Sequence, residues 1–299
     1  MASVPDGLVP LIIRASRRNR TFTSENVARK RVRERALRPK PFGPPRNLGA
    51  GVKVDAQLDD GWPVYTLTPT RSTPVGNVIY AHGGGWLNEI VSFHWRLVAQ
   101  IAVEASTVVT VPIYPLVPFG TADEVMNRIV AMVRANTATY GSVALAGDSA
   151  GGQIALSAAL ALRDDGVTLP ATVLISPAVD LTITNPDIPT VQPTDPMLGV
   201  PGAKVLADLW RGERELTDPV VSPLFGDFAG LGPLAVWSGT HDILNPDTRL
   251  LVAKAEAAGV DVNYTELAGQ LHVYPLLPTA IGAAARRDIV SVIAQGLGT

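Results

Sequence analysis

From about residue 52 onward the chain alternates between two kinds of hydrophobic pattern. Short runs that are apolar on both sides occur at residues 77–82, 107–113, 142–147, 172–176, 234–238 and 262–267. Strands covered on both faces of a parallel sheet need that composition. Longer stretches at 93–104, 123–137, 150–163, 247–258 and 280–295 repeat apolar positions every three or four residues and predict helices. Ahead of them, residues 52–57 and 64–68 read as two strands joined by the turn Asp59-Asp60-Gly61. This βαβ alternation with an antiparallel start predicts one doubly wound, eight-stranded, mostly parallel sheet with helices on both faces.

Two segments stand outside the rhythm. The first forty or so residues read as helical, with an Arg-rich helix at 24–37 that Ser24 can cap; Pro39, Pro41, Pro44 and Pro45 then mark the entry to another layer. Residues 180–233 are proline-rich and hold only short helical patches, such as 203–210. A connection of that length between two strands is expected to cover a functional face. The expected organisation is therefore N-terminal cap helices over 1–45 and a layered domain over 46–299, with 180–233 supplying the rest of a helical cap.

Composition narrows the function. The 299 residues are 46% hydrophobic and 17% charged, enough for a sizeable core and incompatible with a disordered chain. No apolar run reaches the roughly eighteen residues of a membrane span. The stretch 8–13 contains Pro10 and lacks a basic flank, a poor secretory signal, so a cytoplasmic location is expected. With no cysteine, disulfides, thiolate metal sites and cysteine nucleophiles are excluded, and histidine chemistry must use His82, His94, His241 or His272. The net charge of −2 is uneven: residues 14–46 hold 12 Lys/Arg against Glu25 and Glu34, which leaves 13 basic and 25 acidic residues elsewhere. Phe22 and Phe42 stand alone there, so no stacking platform for nucleic acid is built. The segment reads as a solvated helix on an acidic body, with contact to an anionic membrane as the alternative.

Two glycine motifs carry chemistry. Gly147-Asp148-Ser149-Ala150-Gly151-Gly152 fits G-x-S-x-G between the strand at 143–146 and the helix that follows. A sharp strand–helix turn lifts the serine hydroxyl clear of the sheet edge and sets it by unpaired helix N–H groups. Without that context Ser149 would read as a helix cap. His82-Gly83-Gly84-Gly85-Trp86 follows directly on the strand at 78–81, and its bare glycines leave N–H groups free to turn toward one developing oxyanion. Otherwise it would be a flexible loop without a ligand.

Together these motifs resemble the hormone-sensitive-lipase-like family of α/β-hydrolases, which includes bacterial carboxylesterases and arylacetamide deacetylases. The resemblance covers residues 75–278 and implies the α/β-hydrolase fold with a helical cap. It implies Ser149 as nucleophile, with oxyanion donors from Gly84 with Gly83 or Gly85, and from Ala150. In the family's order of serine, acid, histidine, His272 is the expected base and Asp242, in Gly239-Thr240-His241-Asp242, its orienting acid. Asp247 is the alternative acid, although it reads as a helix N-terminal residue, and His94 is expected to hold the loop after Trp86. Trp86, Leu87, Phe93, Leu198 and Trp210 are the candidate linings of the substrate pocket, with core or cap packing expected for at least half of them.

The implied reaction is hydrolysis of short- to medium-chain acyl esters through an acyl-enzyme on Ser149, with no metal or organic cofactor. Amide hydrolysis or deacetylation is the alternative, and a noncatalytic ligand receptor on the same fold a more distant one. Some relatives pair through the sheet edge, which adds a homodimer to the expectations. The chain also departs from the family. Tyr114-Pro115-Leu116-Val117-Pro118-Phe119 stands where Tyr-Arg-Leu-Ala-Pro-Glu is usual, Gln153 where Asn is, and Val273-Tyr274 where Gly-Phe is.

Overall fold

In the computed structural model the described residues are 4–16, 19–46, 48–49 and 51–299. Residues 1–3 of the expected N-terminal helices, and Arg17 and Arg18 of the basic segment, lie outside them. Eight strands form one sheet: β1 (Val52–Asp59), β2 (Trp62–Pro69), β3 (Asn77–Ala81), β4 (Val108–Pro112), β5 (Val143–Asp148), β6 (Thr172–Ile175), β7 (Leu234–His241) and β8 (Val262–Leu271). Their spatial order is β1-β2-β4-β3-β5-β6-β7-β8. The pairs β1/β2 and β2/β4 are antiparallel and the others parallel, as the hydrophobic pattern predicts.

The helices are α1 (Val9–Ser16), α2 (Arg20–Thr23), α3 (Glu25–Leu37), α4 (Ser92–Glu104), α5 (Ala122–Tyr140), α6 (Ala150–Asp164), α7 (Ile188–Val191), α8 (Val200–Trp210), α9 (Asn245–Ala257) and α10 (Ala280–Leu297). Strand alternation divides the core. Val78 and Tyr80, Ala144 and Ala146, and Val173 and Ile175 face one side, packed with Trp95, Leu97 and Ile101 of α4 and Ile289 and Ile293 of α10. Ile79, Leu145, Leu174 and Val236 face the other, packed with Ile129 of α5, Ile154 of α6 and Leu251 of α9. Successive strand residues point to opposite faces, so runs apolar at every position become two hydrophobic layers at once.

Helices α2 and α3 pack on α8 from the long insertion between β6 and β7. Ser24 caps α3 as expected, accepting the Val27 N–H at 3.4 Å. Gly202 of α8 lies against the backbone of Thr21 and Phe22, where any Cβ would collide with it. A glycine there lets two helical backbones touch. α8 is fastened inward as well. Gln153 Oε1 accepts from Trp210 Nε1 at 2.9 Å and from Trp86 Nε1 at 3.2 Å, while Gln153 Nε2 donates to Val220 O at 2.8 Å. The indoles of Trp86 and Trp210 stack with centroids 5.7 Å apart. The longer Gln, in place of the family's Asn, reaches both rings and the insertion from α6.

Candidate active site

β5 ends at Asp148 and α6 begins at Ala150, so Ser149 alone makes the corner, with φ 53° and ψ −117°. A non-glycine residue there is strained and is held only by its surroundings. Its N–H donates to Ile175 O at 2.8 Å and its carbonyl accepts the Ala178 N–H at 3.1 Å, so both ends of the corner are pinned. A Cβ on Gly151 would collide with the Ala81 carbonyl, and one on Gly147 with the Gly151 carbonyl. The motif's two glycines are therefore demanded by close strand–helix approach.

Ser149 Oγ lies 2.9 Å from His272 Nε2, and His272 Nδ1 lies 2.8 Å from Asp242 Oδ2. Three side chains brought from β5, the β7–α9 turn and the end of β8 thus form one relay, buried at all three positions. Asp242 Oδ1 accepts the Leu244 N–H at 2.9 Å, which fixes its carboxylate plane. The loop bearing His272 turns through Val273 at φ 50°, whose N–H donates to Ser176 Oγ at 3.0 Å. Burial alone pushes the His272 imidazole down, but the charge and hydrogen bond of Asp242, with the charges of Asp195 and Asp148, raise it above its ordinary value. Asp247, the alternative acid, sits in the first turn of α9 and accepts from Asn185 Nδ2 at 2.7 Å. Burial and the Asp180 charge push its carboxyl up to about 6.

The glycine loop faces the same serine but one of its members is occupied. Gly83 N–H donates to Asp148 Oδ1 at 2.9 Å, which corrects the expectation that Gly83 is an oxyanion donor. No hydrogen bond engages the N–H of Gly84, Gly85 or Ala150 among the described residues. Asp148 Oδ1 also accepts from Tyr80 Oη at 2.7 Å, and Oδ2 from His94 Nε2 at 3.2 Å. His94 Nδ1 accepts the Val91 N–H at 3.0 Å, which assigns its proton to Nε2 and ties the loop after Trp86 to the same carboxylate. Burial pushes the Asp148 carboxyl up, yet His94, Tyr80 and the Gly83 N–H together hold it below its ordinary value.

A cavity of about 220 Å³ opens onto Ser149, Gly84, Gly85 and His272, with apolar walls from Ile13, Phe22, Phe93, Met197, Leu198 and Leu277. A second, apolar hollow of about 40 Å³ lies on the other flank of Ser149, against Trp86, Ala150, Leu181, Ile183 and Ile243. Phe93 and Leu198 thus line the larger cavity and Trp86 the smaller. Leu87 and Trp210 line neither: both are buried in the core, and Trp210 is turned toward Gln153.

One neighbour of the site gives no signal in the sequence. Asp195, buried within the proline-rich insertion, accepts the Ile243 N–H on Oδ2 at 3.0 Å, and the Met197 and Leu198 N–H groups on Oδ1 at 2.7 and 3.0 Å. It joins the cavity wall to the acid's own turn. Burial and the adjacent Asp242 push its carboxyl up to about 6.

A family model for the α/β-hydrolase fold matches residues 78–276. A triacylglycerol lipase of Mycobacterium tuberculosis (strain ATCC 25618 / H37Rv) is 32% identical over 232 residues, 76% of this chain, and the match spans about half, 48%, of that longer lipase. An acetyl-hydrolase of Streptomyces hygroscopicus is 32% identical over 67% of this chain and 70% of its own. Among solved structures, an esterase from the bacterial hormone-sensitive lipase family superposes with a TM-score of 0.83 at 27% identity, over 99% of this chain and 100% of that one. By the matched motifs, the sheet and these relatives alike, the chain belongs to the hormone-sensitive-lipase-like family of α/β-hydrolases.

Proposed function

We propose that this chain is a serine carboxylesterase acting on short- to medium-chain acyl esters through an acyl-enzyme on Ser149. The observation that carries the reading is the Ser149–His272–Asp242 relay opening onto an apolar cavity of about 220 Å³. His272 Nε2 takes the Ser149 hydroxyl proton as Oγ attacks the acyl carbon, and Asp242 steadies the imidazolium that forms. The N–H groups of Gly84, Gly85 and Ala150 receive the oxyanion. Collapse of the tetrahedral intermediate breaks the ester C–O bond, and the His272 proton passes to the leaving alcohol. Water then enters by the same route, with His272 as base, and releases the acid.

The acetyl-hydrolase name of the Streptomyces relative favours small acyl groups, and the small hollow beside Ala150 fits an acyl chain of few carbons. Cap elements from 1–45 and 180–233 wall the larger cavity through Ile13, Phe22, Met197 and Leu198, which suits them to select the alcohol side. The test is hydrolysis of p-nitrophenyl esters from acetate to palmitate by wild type and Ser149→Ala, with p-nitroanilides in parallel. Turnover that peaks on short esters and falls by about four orders of magnitude or more in the variant is expected. Absence of ester turnover, or turnover unchanged in the variant, refutes the assignment, and preference for anilides redirects it to amide hydrolysis.

A further inference from the structure

The cap carries an apolar surface that the reaction does not use. Helix α1 turns Val9 and Ile13 inward, both buried, and Ile13 lines the cavity. At about 100° per residue, Leu11 falls opposite them and Ile12 on the flank beside it, joined there by Leu8 at the end of the preceding turn. Leu8, Leu11 and Ile12 are 49%, 62% and 54% exposed. A helix apolar on both faces has one more face than its own domain covers. Val91, another cavity-lining residue, is 48% exposed, so the cavity itself presents an apolar side chain to the surroundings.

Charge identifies what covers this surface. Helix α3 follows α2, whose Phe22 lines the cavity, after the single residue Ser24. It buries Ala28 and Val32 and exposes Arg29, Lys30 and Arg33 on its far side. The rest of the chain is strongly acidic, so an anionic surface would repel the body and attract the cap. We infer that the α1–α3 face docks on an anionic lipid surface, with Leu8, Leu11 and Ile12 entering the headgroup–acyl boundary and Arg29, Lys30 and Arg33 meeting the lipid phosphates. Docked this way, α1 lies between the membrane, where esters too apolar for water accumulate, and the cavity that Ile13 lines.

Co-sedimentation of the full chain with vesicles of phosphatidylcholine, with and without phosphatidylglycerol, tests this apart from catalysis. Wild type is expected to partition to the anionic vesicles, and more weakly as salt rises. The triple variant Arg29→Gln, Lys30→Gln, Arg33→Gln should lose about a hundredfold on anionic vesicles, roughly fivefold per cation, and nothing on neutral ones. Leu11→Ser with Ile12→Ser should lose roughly tenfold or more on both. Hydrolysis of p-nitrophenyl acetate without vesicles should match wild type in both variants and reports that they fold. If the serine pair does not fold, the charge variant alone decides. Wild type that stays in the supernatant with every vesicle overturns the inference. So does partition unchanged by either variant, or sedimentation velocity showing self-association that Leu11→Ser with Ile12→Ser abolishes.

Discussion

Asp148→Asn is the sharpest perturbation of the site that leaves all three relay side chains in place. The carboxylate gathers three buried donors: Tyr80 Oη at 2.7 Å, Gly83 N–H at 2.9 Å and His94 Nε2–H at 3.2 Å. An asparagine can keep its oxygen toward Tyr80 and Gly83, but its NH₂ then meets the His94 N–H. His94 cannot change tautomer to answer it, because Nδ1 already accepts from Val91. One buried donor is left unpaired, at about 1–3 kcal/mol. The two surviving bonds lose their charge assistance, about 1 kcal/mol each. The sum, about 3–5 kcal/mol, lowers Tm by roughly 6–10 °C in a domain of this size. Gly83 precedes Gly84, the proposed oxyanion donor, so its loosened anchor should cut kcat about 10–100-fold, with KM nearly unchanged.

Calorimetry and p-nitrophenyl acetate kinetics measure the two effects on the same sample. The pH dependence adds a third. A carboxyl held below its ordinary range contributes stability that is present above its unfolded value, about 3.9, and lost as pH falls through the folded one. Wild type should therefore lose stability in acid more steeply than Asp148→Asn. A variant with Tm within about 2 °C of wild type and kcat within about twofold would refute the claim that Asp148 anchors the loop.

Other perturbations bear on the surroundings of the relay. Asp195→Asn removes a charge that supports the raised His272 pKa, and His272 must be neutral to act as base; the acid limb of kcat/KM should move to lower pH, and an unmoved profile counts against the coupling. Gly202→Val forces α8 off the Thr21–Phe22 backbone and should cost about 1–3 kcal/mol in urea unfolding, with KM rising more than kcat falls as the Phe22 wall shifts. His272→Ala should lower turnover by about four orders of magnitude and, by stripping the buried Asp242 carboxylate of its partner, cost about 3–5 kcal/mol in urea unfolding.

The sheet was legible because its strands are covered twice. Val78-Ile79-Tyr80 sends residues to both layers, and only a two-sided core explains a run with no polar position. Ser149 and His272 were legible through a local demand, a glycine-flanked corner in one case and the strand end in the other. The division of labour in the glycine loop was not. Which N–H stays free depends on Asp148 reaching back across 65 positions to Gly83, a contact with no local signature. Asp195 was hidden in the same way, since a lone aspartate among prolines looks like turn chemistry until the fold sets it beside Ile243. Which of the five candidate pocket residues fill the core, as Leu87 and Trp210 do, was not legible, because apolarity does not distinguish a residue that faces a cavity from one that packs inside.

The two stacked indoles held by Gln153 also make an optical gauge. Trp86 belongs to the glycine loop and Trp210 to α8, and both N–H groups share a single acceptor. Parting α8 from the body separates the rings and wets both indoles together. Of the chain's five tryptophans, this pair would therefore dominate any change in emission colour or near-ultraviolet dichroism that accompanies movement of the cap. Any such movement can be timed in a stopped-flow cell without an attached dye.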